Sequence, residues 1–228
     1  MEIKDGLNSK ARILDASIEL FTKNGFNATL IEDIAKKAKA NKALIYYYFN
    51  SKEGILDYMV QELLKTASFL AVSFIRENIV KLIKSSKLEV KNDQYIFKDK
   101  ATKNEYMRQI KEYHEKLYNF AMENRIIIRI LLHESCSKTR TRNDLFKLLS
   151  LIERDDENPI FRALTNEDNT INYSDDVVLF KLFFSYIPLI YFTVYYDDYK
   201  KATGATDEQA RKSFLQSFQT VPFHWYND

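Results

Sequence analysis

The residues around position 45 carry the chemistry that this sequence offers most clearly. Asn41 is a good helix N-cap, and a helix from there through Phe49 puts Ile45 and Phe49, four residues apart, on one face for packing. The opposite face then carries Lys42, Ala43, Tyr46 and Tyr47. Solvated helix faces are usually mixtures of Glu and Lys. An ammonium beside two phenols is a set of groups that donate to phosphate oxygens and base edges. Taken by itself, the run Tyr46-Tyr47-Tyr48-Phe49 reads first as aromatic core packing.

The elements that must position this face lie just upstream. Asn8 or Ser9 can cap a helix running to about Asn24, in which Ile13, Ala16, Ser17, Leu20 and Phe21 form one buried stripe. Gly25 follows where a helix end wants a left-handed residue. Thr29 and Glu32 form a T-x-x-E capping box, which predicts a second helix from Thr29 to near Ala38 with Ile31, Ile34, Ala35 and Ala38 inward. Two short helices joined by a tight turn, the second exposing a basic and aromatic face, make the helix-turn-helix arrangement that places its second helix in the major groove.

Charge supports this division. Residues 1–52 hold nine Lys or Arg against six Asp or Glu, and from Ile34 to Lys52 there are five lysines and no carboxylate. The remaining residues carry 25 against 26, so the basic character is local. Four glycines and three prolines in 228 residues are too few for a β-sandwich or a glycine-rich phosphate loop. The chain reads as all-α. A hydrophobic content of 46% with balanced charge implies a buried core, and the lone Cys136 and polar start imply a reducing, cytoplasmic setting.

Residues 11–56 resemble the N-terminal DNA-binding domain of the TetR family of bacterial transcriptional regulators. The matching motifs are Ile13 to Ala16, Leu20 to Phe21, Gly25 to Thr29, Asp33 to Ala35 and Ile45 to Glu53, all in register. The resemblance implies that Thr29, Tyr46, Tyr48 and Lys52 hold DNA phosphates, and that Lys42, Ala43, Leu44 and Tyr47 lie where members read bases. Two positions depart from the family, Lys39 in the turn and Ala43 in the recognition helix, where members usually have glycine. A left-handed lysine costs about 1–2 kcal/mol, which favours another backbone shape for that turn. The lysines at 36, 37 and 39 read as a solvated face that assists long-range attraction.

Beyond residue 50 the periodicity is helical. Ser51 caps a helix that continues, with a break, to about Ser86; residues 87–97 form a small hairpin or an ordered loop; residues 101–123 form an amphipathic helix followed by an apolar stretch, Ile126 to Leu132. A further helix covers 143–154, and 155–172 is a surface loop containing a short turn of helix. Ser174 opens the longest apolar run. Lys181 and Pro188 interrupt it and charges follow at 197–201, so it reads as a core helix and not a membrane span. With the helix capped by Thr206 or Asp207, it is placed like the pair through which TetR relatives dimerise. Phe218 is the expected seam residue.

No constellation suggests an enzyme. His133 and Cys136 are three apart with no second pair to complete a metal site, and His114 and His224 have no evident partners. No cofactor and no metal are expected. Fifteen Tyr and 16 Phe could line an apolar pocket, with Tyr106, Tyr113, Tyr118, Phe184, Tyr191 and Phe192 as its expected wall, although core packing accounts for such rings equally. The expectation is therefore a helix-turn-helix domain over 1–50 and a helical ligand-binding and dimerisation domain over 51–228. The protein is expected to be a homodimer through about 174–203 and 206–220, and a repressor released from a palindromic operator by a small apolar or amphipathic effector. The rival reading is a helical binding or assembly protein whose head makes protein contacts.

Overall fold

The apolar stripe on the first helix decides how the N-terminal residues assemble. The structure, a computed structural model, describes residues 2–91, 94–135, 147, 150–165 and 174–223. Helix α1 (Glu2–Asn24) starts well before the expected cap. Ser9 lies inside it, and its hydroxyl accepts from Arg12 at 3.1 Å. Each residue added to an existing helix gains a backbone bond without a new nucleation cost, so the polar start simply extends the helix. It ends at Gly25, whose φ of 81° is the left-handed conformation expected there.

Helix α2 (Ile31–Ala38) begins two residues later than the capping box placed it. Leu30 holds the N-cap position in an extended conformation with no side-chain cap. The Thr29 hydroxyl is directed elsewhere: it donates to the carbonyls of Gly25 at 2.7 Å and Leu20 at 3.3 Å. At the other end Lys39 does take the left-handed conformation, φ 50° and ψ 45°. Its N–H reaches the Lys36 carbonyl at 3.3 Å and the Ala40 N–H reaches Ala35 at 3.0 Å. These two bonds close a Schellman motif and offset the backbone cost. Helix α3 (Lys42–Phe49) starts as expected, Asn41 Oδ1 accepting from the Ala43 N–H at 3.0 Å.

The chain divides into two compact units, residues 1–63 with 126–145 and residues 64–125 with 146–228. The N-terminal unit thus takes in more than residues 1–50. Its core joins Ile13, Phe21, Phe26, Ile34, Ile45 and Phe49 to Ile55, Leu56 and Met59 of α4 (Lys52–Phe74) and Ile130 of α7 (Arg125–Ser135).

In the second unit the chain passes through a π-helical segment, Ile75–Val80, into α5 (Lys81–Lys84). Residues 88–97 form the hairpin: β1 (Leu88–Lys91) pairs antiparallel with β2 (Gln94–Phe97), Leu88 opposite Phe97 and Val90 opposite Tyr95. Helix α6 (Lys100–Glu123) is capped by Asp99, which accepts from the Thr102 N–H at 2.7 Å. Helix α8 (Pro159–Thr165) is the helical turn expected within 155–172. Residues 166–172, most of the helix expected over 143–154, and Asn92 with Asp93 lie outside the described residues.

The long apolar run is divided. Helix α9 (Asp175–Lys181), capped by Ser174, leads into a π-helical segment, Leu182–Tyr186, then α10 (Ile187–Val194) and α11 (Tyr196–Thr203). Pro188 explains the break, because it has no N–H to donate and its ring crowds the carbonyl one turn back, which the wider segment before it relieves. Helix α12 (Asp207–Phe223) follows. The Tyr196 hydroxyl donates to Asp207 at 2.7 Å and the Lys200 ammonium to the same oxygen at 2.5 Å, tying α11 to the first turn of α12.

Aromatic rings fill this unit in two groups. Tyr106 is buried among Phe74, Tyr95 and Phe97, with centroids 6.1, 5.7 and 5.2 Å away, so one face of the hairpin covers it. In the other, Phe192 stacks on Phe214 at 4.1 Å and Phe214 on Phe218 at 5.2 Å. Phe218 is 5% exposed and lies 5.0 Å from the His114 ring. It is a core residue of its own chain, which corrects its placement at a subunit seam.

His114 is buried and its Nδ1 has no hydrogen-bond partner. Burial disfavours the imidazolium and pushes the pKa down to about 4. The unfolded chain, with a value near 6.5, therefore binds the proton first. Stability is full above about pH 6.5 and declines by about 3 kcal/mol as pH falls to 4. Urea unfolding of the second unit at pH 7.5 and 4.5 should show this loss in the parent and a smaller one in His114→Leu.

Candidate nucleic-acid interface

An outward face on α3 exists because its inward face is anchored at two points. Ile45 and Phe49 are buried in the N-terminal core, and Leu44 and Tyr48 pack against its edge, half-buried. The remaining positions turn to solvent: Lys42 and Ala43 are exposed, Tyr46 is 50% exposed and Tyr47 is 78% exposed. The Tyr47 ring rests edge-on against Tyr48, centroids 5.1 Å apart, and Tyr48 against Phe49 at 6.3 Å. Such contacts restrain a projecting ring without burying it.

The side chains expected to face DNA fall into three groups. Lys42, Ala43, Tyr46 and Tyr47 share the solvent face of α3. Lys42 pairs with Glu32 of α2, and its ammonium holds the Glu32 carboxyl below the usual carboxylate value. Both groups are exposed, so the pair opens at little cost when a phosphate or base edge competes. Leu44 and Tyr48 contribute only partly exposed surface.

Thr29 and Lys52 are placed differently. Thr29 is fully buried with its hydroxyl donated inward. Lys52 donates to the carbonyl oxygens of Phe26 at 2.8 Å, Thr29 at 2.9 Å and Asn27 at 3.4 Å. Neither side chain presents a free donor to solvent. Motif matching reports the residue type at a position, whereas the direction of a donor depends on which carbonyls the fold brings near it.

Sequence reasoning missed other contributors. Lys10 places its ammonium 3.7 Å from the centre of the Tyr58 ring and 5.6 Å from that of Phe49, bracing the junction of α3 and α4. Arg12 donates to the Ala38 carbonyl at 3.2 Å, satisfying one orphan acceptor at the end of α2. Neither has a local sequence signature, since both partners are distant in the chain.

The expected ligand wall is not one surface. Tyr113 stacks on Phe74 at 4.6 Å beside buried Tyr106, while Tyr118 and Phe192 belong to the Phe214 group, at 5.9 and 4.1 Å from that ring. Phe184 and Tyr191 point outward, 52% and 46% exposed. No cluster of three metal-ligating side chains occurs among the described residues. His133 is exposed beside Glu134, and Cys136 lies outside the described residues, as does His224.

Comparison with known proteins agrees with the geometry of α1 to α4. Residues 13–59 match the family model described as bacterial regulatory proteins, tetR family. The HTH-type transcriptional regulator YttP of Bacillus subtilis is 38% identical over 56 residues, 25% of this chain and 27% of the relative. The biofilm operon icaADBC HTH-type negative transcriptional regulator IcaR of Staphylococcus aureus is 40% identical over 52 residues, 23% of this chain and 28% of the relative. The chain thus spans about a quarter of the length of the curated relatives it matches. A Clostridium perfringens fatty acid metabolism regulator of solved structure shares the fold over 92% of this chain and 96% of its own, with a TM-score of 0.51 at 18% identity. Residues 13–59 thus carry the N-terminal domain described by the tetR family model, and the chain shares its fold with that solved structure over 92% of its length.

Proposed function

We propose that the chain is a DNA-binding transcriptional repressor that acts in the cytoplasm as a homodimer on a palindromic operator. The observation that carries this reading is the solvent face of α3, where Lys42, Ala43, Tyr46 and Tyr47 are exposed on a helix fixed from behind by Ile45 and Phe49. Tyr46 takes a phosphate; Lys42, Ala43 and Tyr47 meet base edges, with Leu44 and Tyr48 filling the flanks. The negative regulator IcaR, similar over this segment, supports repression as the outcome.

Dimer formation follows from an apolar surface that the protomer leaves uncovered. Leu179, Phe183, Phe184, Tyr191, Tyr195 and Tyr199 of α9 to α11 are all exposed, and an 18-residue window within 175–194 has a mean hydropathy of 1.9 with only 22% of it buried. An exposed apolar stripe of this kind marks an interface. A second copy covers it, and twofold symmetry gives a pair of heads the spacing of two half-sites, about 34–36 Å. An apolar or amphipathic effector held in the second unit by Tyr106 and Tyr113, or by Tyr118 and Phe192, releases DNA only if it binds more tightly to the state whose heads are mis-spaced.

Two experiments test these proposals. In selection from random duplexes, Tyr47→Ala and Lys42→Ala should each relax the preferred bases within a half-site, a good base contact being worth about 1–3 kcal/mol of discrimination. Unchanged preference in both variants would remove the base-reading role from this face. The double variant Phe183→Glu/Tyr191→Glu should sediment as a helical monomer, with operator affinity reduced at least 100-fold. A persistent dimer that binds operator normally would place the interface elsewhere.

A further inference from the structure

The turn between α2 and α3 holds a residue that its backbone does not favour. Lys39 sits at φ 50° and ψ 45°, in the left-handed region, where a β-carbon crowds the chain and glycine or asparagine is tolerated better. The two hydrogen bonds that close the end of α2 come from the N–H groups of Lys39 and Ala40, which donate to the carbonyls of Lys36 and Ala35. Glycine at position 39 would make the same bonds without the crowding. The lysine side chain therefore contributes nothing to the closure, and a strained residue that the fold does not require points to function.

Its ammonium is also uncommitted. Of the five lysines from Ile34 to Lys52, Lys37 pairs with Glu19, Lys42 pairs with Glu32, and Lys52 donates to the carbonyls of Phe26 and Thr29. Lys36 and Lys39 are exposed and make no ion pair among the described residues. Lys39 stands two residues before Asn41, the N-cap of α3, on the segment that leads into the exposed Lys42 and Ala43.

The dimensions of DNA decide what such a cation meets. A helix with its side chains is about 10–12 Å across and the major groove is about 12 Å wide, so a helix that enters the groove fills it from rim to rim. Residues just outside the end of the helix then stand at the rims, which are rows of phosphates. We propose that Lys39 is a DNA-binding residue in its own right: its ammonium pairs with a phosphate on the rim of the groove that α3 enters. The proposal rests on the DNA-binding reading of the α3 face. A compact ammonium on a flexible stem suits a phosphate, and such a contact supplies affinity and register without base preference.

Lys39→Gly and Lys39→Asn both suit the left-handed turn and remove the cation, whereas Lys39→Arg keeps it. On a duplex selected by the parent, the Gly and Asn variants should bind about tenfold more weakly at low salt, with the slope of log affinity against log salt flatter by about one unit. Their preferred bases should stay the same, and Arg should recover most of the affinity. The urea midpoint of the Gly variant should equal or exceed the parent's, so that the lost affinity is not lost folding; a lower midpoint would show that the side chain supports the turn and would overturn the premise. Phosphate-ethylation interference reads the contact itself. One phosphate in each half-site whose ethylation weakens the parent should no longer matter to the Gly variant. Parental affinity and slope in both the Gly and Asn variants would refute the proposal, and so would a flatter slope with the interference pattern unchanged, the mark of diffuse attraction. A parent that binds no duplex sinks the DNA-binding reading together with this one; a parent that binds while position 39 is silent sinks this one alone.

Discussion

An eight-residue helix does not persist in water, since the cost of nucleation is recovered only over a dozen residues or more. Helix α3 has eight, with no acidic first turn and no basic last turn to favour it. Its existence depends on burying Ile45 and Phe49, each contributing about 1.5–3 kcal/mol. Because those two side chains are four residues apart, burying them fixes the rotation of the helix about its axis. Lys42, Ala43, Tyr46 and Tyr47 are therefore outward by necessity. The rest of the N-terminal unit secures that burial: the Schellman closure at Lys39 sets the approach of α3, and Lys10 and Lys52 hold it through the start of α4.

The second unit obeys a different constraint, a surplus of aromatic surface. Tyr106 and Phe214 each centre a group of rings that pack on one another, and the hairpin covers part of the first group. Rings on α9 to α11 are left over and face solvent. The break before Pro188 matters here, because a π-helical segment shifts which positions share a face. The stripe from Leu179 to Tyr199 therefore follows the bent backbone and not a single helical period.

Much of this was legible in the sequence, for reasons that can be named. The rotation of α3 followed from one i, i+4 pair and one N-cap. The amphipathic span of α6 and the Ser174 cap were equally local signals. Where the sequence misled, a side chain had two possible uses and a distant partner decided between them. Thr29 looked like a cap because Glu32 is three residues on, but carbonyls at the end of α1 took its hydroxyl. The ammonium of Lys52 donates to carbonyls of the α1–α2 turn, acceptors that no local pattern announces. Phe218 was apolar on a terminal helix, and nothing in its neighbours along the chain revealed His114 and Phe214 closing over it. Lys39 was read as avoiding a strained backbone, whereas two cap hydrogen bonds outweighed the strain.

The central claim is that paired copies of α3 enter the major groove of one duplex. Hydroxyl-radical footprinting of the intact protein on a duplex selected from a random pool tests it most directly. The account predicts two protected patches on one face of the DNA, related by a twofold axis and separated by about one helical turn, that fade as salt is raised from 50 to 200 mM. A single asymmetric patch, or protection that does not respond to salt, would contradict it.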